Sequence, residues 1–372
     1  MHTLDMTYVG HGLHEELVAY VADQEGFPEQ EGVHLAVRDG VSWNDQRLRR
    51  GATIGLGRSV FARLTDGVEW TALSVSTHRP LFWFVGGRHL SSMEALRGRR
   101  LLVHAPHTAP GCFARIVLRR HGLDPDRDLE CVIRPPGDYA MDLRRLRAGE
   151  VDAAYLGSTL DPAQVAAEEG FHELAWVGDH LAVPTVGLAV DPAVISLEDP
   201  AVQAAVRAQR RALALLAADP ETAVSYLHRF LGRDTVAEVR RYHARFIAPW
   251  FTADGHVDLA EAQEGLAAVA AELGVTQAPR PPRSTAPDSS RPDPACGPTW
   301  TRGFSPSCGP KTGASTSVSA TADDLPRDQH TRPVADPPTA TGAAGGRPGN
   351  KPQSVLSRIS RVASCGASHC GK

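Results

Sequence analysis

The sequence predicts an α/β fold of two lobes followed by a tail without fixed structure. Three observations lead there. From Leu4 to Leu181, short apolar runs alternate with amphipathic ones in the order strand, helix, strand. The periodic sequence continues for about 275 residues, near the upper limit for one hydrophobic core, which favours two lobes. Beyond Gln277 the composition turns to Pro, Ser, Thr, Gly, Arg and Ala, with scattered apolar residues such as Trp300, Phe304 and Val318. Such a segment buries too little apolar area to offset its ordering entropy, so residues 277–372 are expected to be disordered.

Each element carries its own signal. Residues 4–9 read as a strand, 11–14 as a loop, and 15–24 as a helix with Leu17, Val18 and Val21 on one face and Gly26 beyond its end. Residues 33–37 alternate like a strand. Residues 51–57 form a strand running into a glycine turn, and 58–64 a helix. Strands follow at 70–76 and 81–85. The second unit has strands at 100–104, 129–134, 151–156 and 174–177, with helices beginning near Thr108, Asp138 and Asp161. Asp161 can cap, and Pro162 suits the first helical turn. After residues 183–190 the pattern becomes helical. Val202, Val206, Leu213 and Leu216 form one stripe, and further starts fall at Asp219-Pro220, at Asp234, and at Asp258 with Glu261. The alternation predicts parallel sheets.

Composition excludes several classes. A formal net charge of −4 gives no basic field for nucleic acid. No run of about 18 apolar residues occurs, so no membrane span is expected. Of the cysteines, only Cys112 and Cys131 precede the tail, and Cys365 and Cys370 with His369 lack a second ligand pair. No metal and no cofactor are expected. The start, Met1-His2-Thr3-Leu4-Asp5-Met6, has no basic and apolar leader, so the chain as written reads as cytoplasmic. An upstream in-frame extension would make it extracytoplasmic.

The order of short motifs resembles a family. Ala22-Asp23-Gln24-Glu25-Gly26-Phe27 with Glu31-Gly32-Val33 opens the pattern, and Leu96-Arg97-Gly98-Arg99-Arg100 marks entry to a second lobe. Ala148-Gly149-Glu150-Val151-Asp152-Ala153-Ala154 and Gly170-Phe171-His172-Glu173-Leu174 follow. Together they resemble the type II solute-binding proteins of ABC importers, in particular the sulfonate, nitrate and thiamine-precursor binding (NMT1/THI5-like) group. The resemblance covers roughly residues 4–275. It implies a two-lobed periplasmic-binding-protein fold: 1–87 as the first part of lobe one, 88–183 as lobe two, and 184–276 returning to lobe one. Crossovers would lie near 79–87 and 181–187. It further implies a small-molecule ligand, anionic or heterocyclic, held between the lobes, and an ABC permease as partner. The same fold hosts decarboxylases, which leaves a cytoplasmic lyase open.

In open α/β sheets, ligands bind beyond the carboxyl ends of strands, where helix N-termini offer unpaired N–H groups. Four segments fit: 10–14, 55–59, 104–111 and 155–159. The candidate ligand-binding residues are His11, His14, Gly57, Arg58, Ser59, His78, His107, Thr108, Arg115, Tyr155 and Ser158. His107 and His11 would carry proton transfer in a lyase, since imidazole titrates near neutrality. Arg58, Arg79 and Arg115 could clamp an oxyanion or form surface ion pairs, Arg115 being preferred for the clamp. Ser59 is open between capping its helix and walling the cleft. Trp43, Trp83 and Tyr155 could stack on a ligand or pack in the core. Asp152 is expected to fix the crossover by hydrogen bonding, and Cys112 to be a small buried residue.

Overall fold

In the computed structural model the chain begins with β1 (His2–Tyr8), α1 (Leu13–Gln24), the single turn α2 (Phe27–Gln30) and β2 (Val33–Asp39). A second single turn, α3 (Asp45–Leu48), leads to β3 (Ala52–Ile54), α4 (Leu56–Thr65) and β4 (Thr71–Thr77). Residues 78–81 cross to β5 (Phe82–Gly86). Then come β6 (Arg100–Val103), α5 (Ala109–Arg120), β7 (Glu130–Ile133), α6 (Tyr139–Arg147), β8 (Ala153–Gly157), α7 (Pro162–Glu169) and β9 (His172–Trp176). The turn α8 (Val177–His180) begins the return to β10 (Val186–Val190). The fold finishes with the α-helices α9 (Pro200–Ala218), α10 (Pro220–Leu231), α11 (Val236–Tyr242), which continues as a π-helical turn over His243–Ile247, and α12 (Leu259–Glu272). The structure describes residues 1–9, 13–40, 43–134, 139–157, 161–232 and 235–275. The expected disordered tail and the Asp234 start lie outside them, and α11 is capped by Thr235.

Most helix starts follow the chemistry read from the sequence. Asp161, Asp219 and Asp258 each accept a first-turn N–H, and prolines occupy the start of α7, α9 and α10. The short turns α2, α3 and α8 are too brief to leave a 3.6-residue period.

Two five-stranded sheets result, in the orders β2-β1-β3-β10-β4 and β7-β6-β8-β5-β9. The expectation of parallel sheets needs correction. β1 is parallel to β2 and β3, and β6 to β7 and β8, but β10 runs antiparallel to β3 and β4, and β5 antiparallel to β8 and β9. The reason is the route of the chain. β4 leaves the first sheet at its carboxyl edge, so β5 enters the second sheet over that sheet's carboxyl edge and runs against its neighbours. β9 and β10 repeat this on the way back. Both crossings therefore join carboxyl edge to carboxyl edge, which turns the carboxyl ends of the two sheets, where open α/β sheets generally bind ligands, toward each other. β5 also belongs by hydrogen bonding to the second sheet, although the sequence division at residue 87 groups it with the first lobe.

The C-terminal helices divide their packing. α9 lies on β1, β2 and β4 and against α1. α12 instead packs on α5: Ala262, Leu266, Val269 and Ala270 join Phe113 and Ile116 of α5, and Phe61 of α4, in one buried cluster. Within the 184–276 segment, α9 thus packs on the first sheet, while α12 packs on α5 and also meets Phe61 of α4. Among the described residues, no helix is long and apolar enough to cross a membrane.

Gly265, in the middle of α12, lies against the backbone of the return crossing: a Cβ there would stand 1.7 Å from the carbonyl oxygen of Ala182. Alanine in a helix interior ordinarily stabilises by about 1 kcal/mol over glycine. Here the sign reverses, and Gly265→Ala is expected to lower stability by about 1–3 kcal/mol through overpacking. Urea unfolding reads this as a lower midpoint at constant slope, whereas a raised midpoint would contradict the contact.

Candidate functional site

The facing edges of the sheets meet at the first turns of α4 and α5. A Cβ placed on Gly57 would be 3.1 Å from that of Ala109, and one turn further along each helix Phe61 and Phe113 pack edge to face, with centroids 6.5 Å apart. Gly57 and the Thr108 cap are thereby brought together across the lobes. His11 and Ser158 lie outside the described residues. His14 sits in the first turn of α1, and its side chain is likewise outside them.

The helix N-termini are less open to an anion than the sequence suggests. The cap of α4 is Gly55, at φ 105°, with no capping side chain. Its first N–H groups are taken by the return crossing: those of Leu56 and Gly57 donate to the carbonyl of Thr185 at 2.8 and 3.3 Å. Ser59 therefore does not cap. It is buried, with its Oγ 3.4 Å from Thr53 Oγ1, and lines a small apolar cavity with Leu56, Leu64, Trp70 and Leu266. At α5, whose start was expected near Thr108, that residue is the cap. Thr108 Oγ1 accepts from Gly111 N at 3.3 Å and donates to the Ala105 carbonyl at 2.7 Å. Pro110 has no N–H, so these bonds leave the N–H of Ala109 as the first-turn donor. His107, beside the cap, is exposed.

Three arginines are committed elsewhere. Arg115, the preferred anion clamp, forks onto Asp126 at 2.8 and 2.6 Å and reaches Glu272 at 2.7 Å, so it ties α5 to α12. Its hydrogen bonds to Asp126, despite some burial, raise its already high pKa. Arg58 donates to Asp45 at 3.0 Å and to the Trp43 carbonyl at 2.6 Å, holding α3. Arg79 and His78 both meet Glu261 of α12, His78 Nε2 at 3.1 Å, and Arg79 also donates to the Gly178 carbonyl at 3.0 Å. Long side chains at an exposed strand or helix end find the nearest carboxylate, and sequence spacing does not show where that carboxylate folds.

The aromatic and acidic candidates resolve similarly. Tyr155 is fully buried and stacked on Phe82 with centroids 5.2 Å apart, so it is core rather than a ligand platform. Trp83 is buried against Phe246. The Asp152 carboxylate accepts from Arg100 N at 2.9 Å and so fixes the start of β6. Burial pushes the Cys112 thiol up to about 12, which keeps it from being a nucleophile near neutrality.

One cluster entered the sequence reading only through His104, the first residue of the 104–111 segment. At the carboxyl end of β6, His104 faces Arg134, which follows β7. Arg134 Nη1 lies 3.1 Å from His104 Nε2 and its Nε 2.6 Å from Asp142 of α6. The ion-paired side chains are each 3% exposed. Arginine only donates, so His104 Nε2 is an acceptor and the ring proton sits on Nδ1. Burial, then the Arg134 charge, hold the imidazole pKa down to about 3. Phe82 and Tyr155 close the other side of the ring. The only signal in the sequence is a lone Arg ending an apolar strand before Pro135-Pro136. Among the described residues, no group of three or more His, Cys, Asp or Glu is placed to hold a metal ion.

Solved structures share this architecture. The fold is that of the periplasmic binding proteins. The alkanesulfonate-binding protein SsuA of Xanthomonas axonopodis pv. citri, bound to MOPS, matches with a TM-score of 0.58 at 15% identity over 74% of this chain and 95% of that one. The periplasmic aliphatic sulphonate binding protein SsuA of Escherichia coli matches with the same score and identity over 74% and 87%. The desulfurization enzyme DSZB matches at 0.55 and 18% identity over 75% and 94%. No family model matches the chain, and no curated protein does.

Two outcomes follow for the buried cluster. Asp142→Ala strands a buried guanidinium and is expected to cost about 3–5 kcal/mol, while Arg134→Met with Asp142→Leu together restores most of the stability. Chemical denaturation of both variants checks this. Because His104 is depressed from 6.5 to about 3 in the folded state, its contribution is complete above pH 6.5 and is lost as pH falls from there toward 3. His104→Gln should flatten that part of the stability–pH curve, and an unchanged slope would remove His104 from it.

Proposed function

We propose that the chain binds a small organic ligand between its two lobes, as the substrate-binding component of an ABC importer of the sulfonate, nitrate and thiamine-precursor type or as a derivative of one. The carrying observation is the His104–Arg134–Asp142 cluster at the carboxyl edge of the second sheet. A buried ion pair is seldom the most stable filling of its space, and perturbed groups of this kind gather where ligands bind. It lies on the edge that the two crossings turn toward the first sheet, the edge at which α/β folds bind ligands. The fold shared with sulfonate-binding proteins supports the ligand class.

The commitment of Arg58 and Arg115 changes the expected contacts. A sulfonate, carboxylate or heterocycle would be met by Thr108, the Ala109 N–H and the neutral His104 imidazole rather than by a free arginine fork.

The test is thermal melting of the full chain against small sulfonates, carboxylates and pyrimidines, since a ligand of the native state raises the melting temperature by mass action. At least one compound is expected to give a saturable rise of a few degrees, and the Arg134→Met, Asp142→Leu variant to melt cooperatively with that rise lost. A panel with no shift, or a shift untouched by the variant, counts against the assignment.

A further inference from the structure

A second site lies at the far end of α5. His121, which ends α5, and His180, the last residue of α8, bring their Nε2 atoms to 3.3 Å. Their ring centroids are 4.8 Å apart and their planes cross at 70°. Each centroid lies behind its nitrogen, so a head-on N–H···N bond at this spacing would hold the centroids farther apart. The rings are inclined to one another instead, which makes a poor hydrogen bond. Two imidazole nitrogens on a tetrahedral zinc ion, at about 2.0–2.1 Å from the metal, stand about 3.3 Å from each other. The pair has that span.

The surroundings suit the same chemistry. On the other face of His121, Nδ1 lies 3.5 Å from a carboxylate oxygen of Glu94. A carboxylate on the remaining nitrogen fixes the tautomer that turns a lone pair toward a metal. Asp179 adds a negative charge nearby and Arg120 a positive one.

We propose that His121 and His180 form a divalent transition-metal site for zinc, nickel or copper, with Glu94 orienting His121. These are the ions that imidazole favours. Two protein ligands leave the other positions to water, so binding is weaker than at a three-ligand centre. The metal would join the end of α5 to the turn that leads into the return crossing. This site is separate from the cleft and does not depend on its ligand.

The test uses the full chain, freed of metal with a chelator and titrated with Ni²⁺ by calorimetry near neutral pH. His121→Gln and His180→Gln are each expected to lose one equivalent of binding, and Glu94→Gln to weaken that equivalent about tenfold. Contributions from tail residues such as Cys365, His369 and Cys370 are common to all four proteins and cancel in the difference. Equal stoichiometry in wild type and both histidine variants, or no binding by wild type, overturns the proposal. Paramagnetic broadening of the His121 and His180 ring signals in the wild type decides the matter even if a variant fails to fold, since unbroadened rings exclude the site.

Discussion

The carboxylate of Glu261 is where the two lobes are tied. Asp258 accepts the N–H groups of both Ala260 and Glu261, so the cap of α12 is complete without help from Glu261. That side chain turns outward to His78 and Arg79 on the first crossing. Its charge sits at a helix N-terminus, where the dipole favours it. Burial, the largest effect, lowers the pKa of His78, with Glu261 opposing it, so Arg79 is the dependable cation of the two. Arg79 then reaches the Gly178 carbonyl, and its guanidinium carbon lies 5.1 Å from the Trp250 ring centroid. The second crossing is bonded to the first directly: Val183 N donates to the His78 carbonyl at 2.7 Å and Trp176 Nε1 to that of Pro80 at 3.1 Å. A helix, both crossings and one carboxylate thus form a single joint, and the placement of the facing sheet edges depends on it.

Much of the fold was legible because its signals are local. Periodicity located the long helices, and Asp161, Asp219 and Asp258 marked real caps. Strand direction was not legible. β5 and β10 have the same apolar composition as their parallel neighbours, and only the route of the chain between lobes decides that they run the other way. The destination of α12 was hidden for a related reason: its stripe of Leu266 and Val269 shows that a face is buried but not which partner covers it.

The site was read less well than the fold. Gly57 and Thr108 lie together at the seam, and their backbone roles were legible because turn glycines and caps are local features. For Arg58, Arg115 and His78 the choice between ligand contact and ion pair was not legible, because the carboxylates that engage them, Asp45, Asp126, Glu272 and Glu261, are brought near only by tertiary packing. Ser59 and Tyr155 point into the core, a matter of helix phase and strand face. The Arg134–Asp142 pair joins residues on separate elements, and neither is unusual until they are seen together.

The strand orders carry one more consequence, for the timing of assembly. β10 lies between β3 and β4, so the first sheet is not continuous until residue 190 has joined it. During synthesis on the ribosome, β3 and β4 must therefore wait, unpaired with each other, while the whole second sheet is being made. Domain-by-domain vectorial folding is closed to this chain. The second sheet, whose five strands end at residue 176, can close first, and the first sheet, although the chain begins with it, is among the last parts to finish.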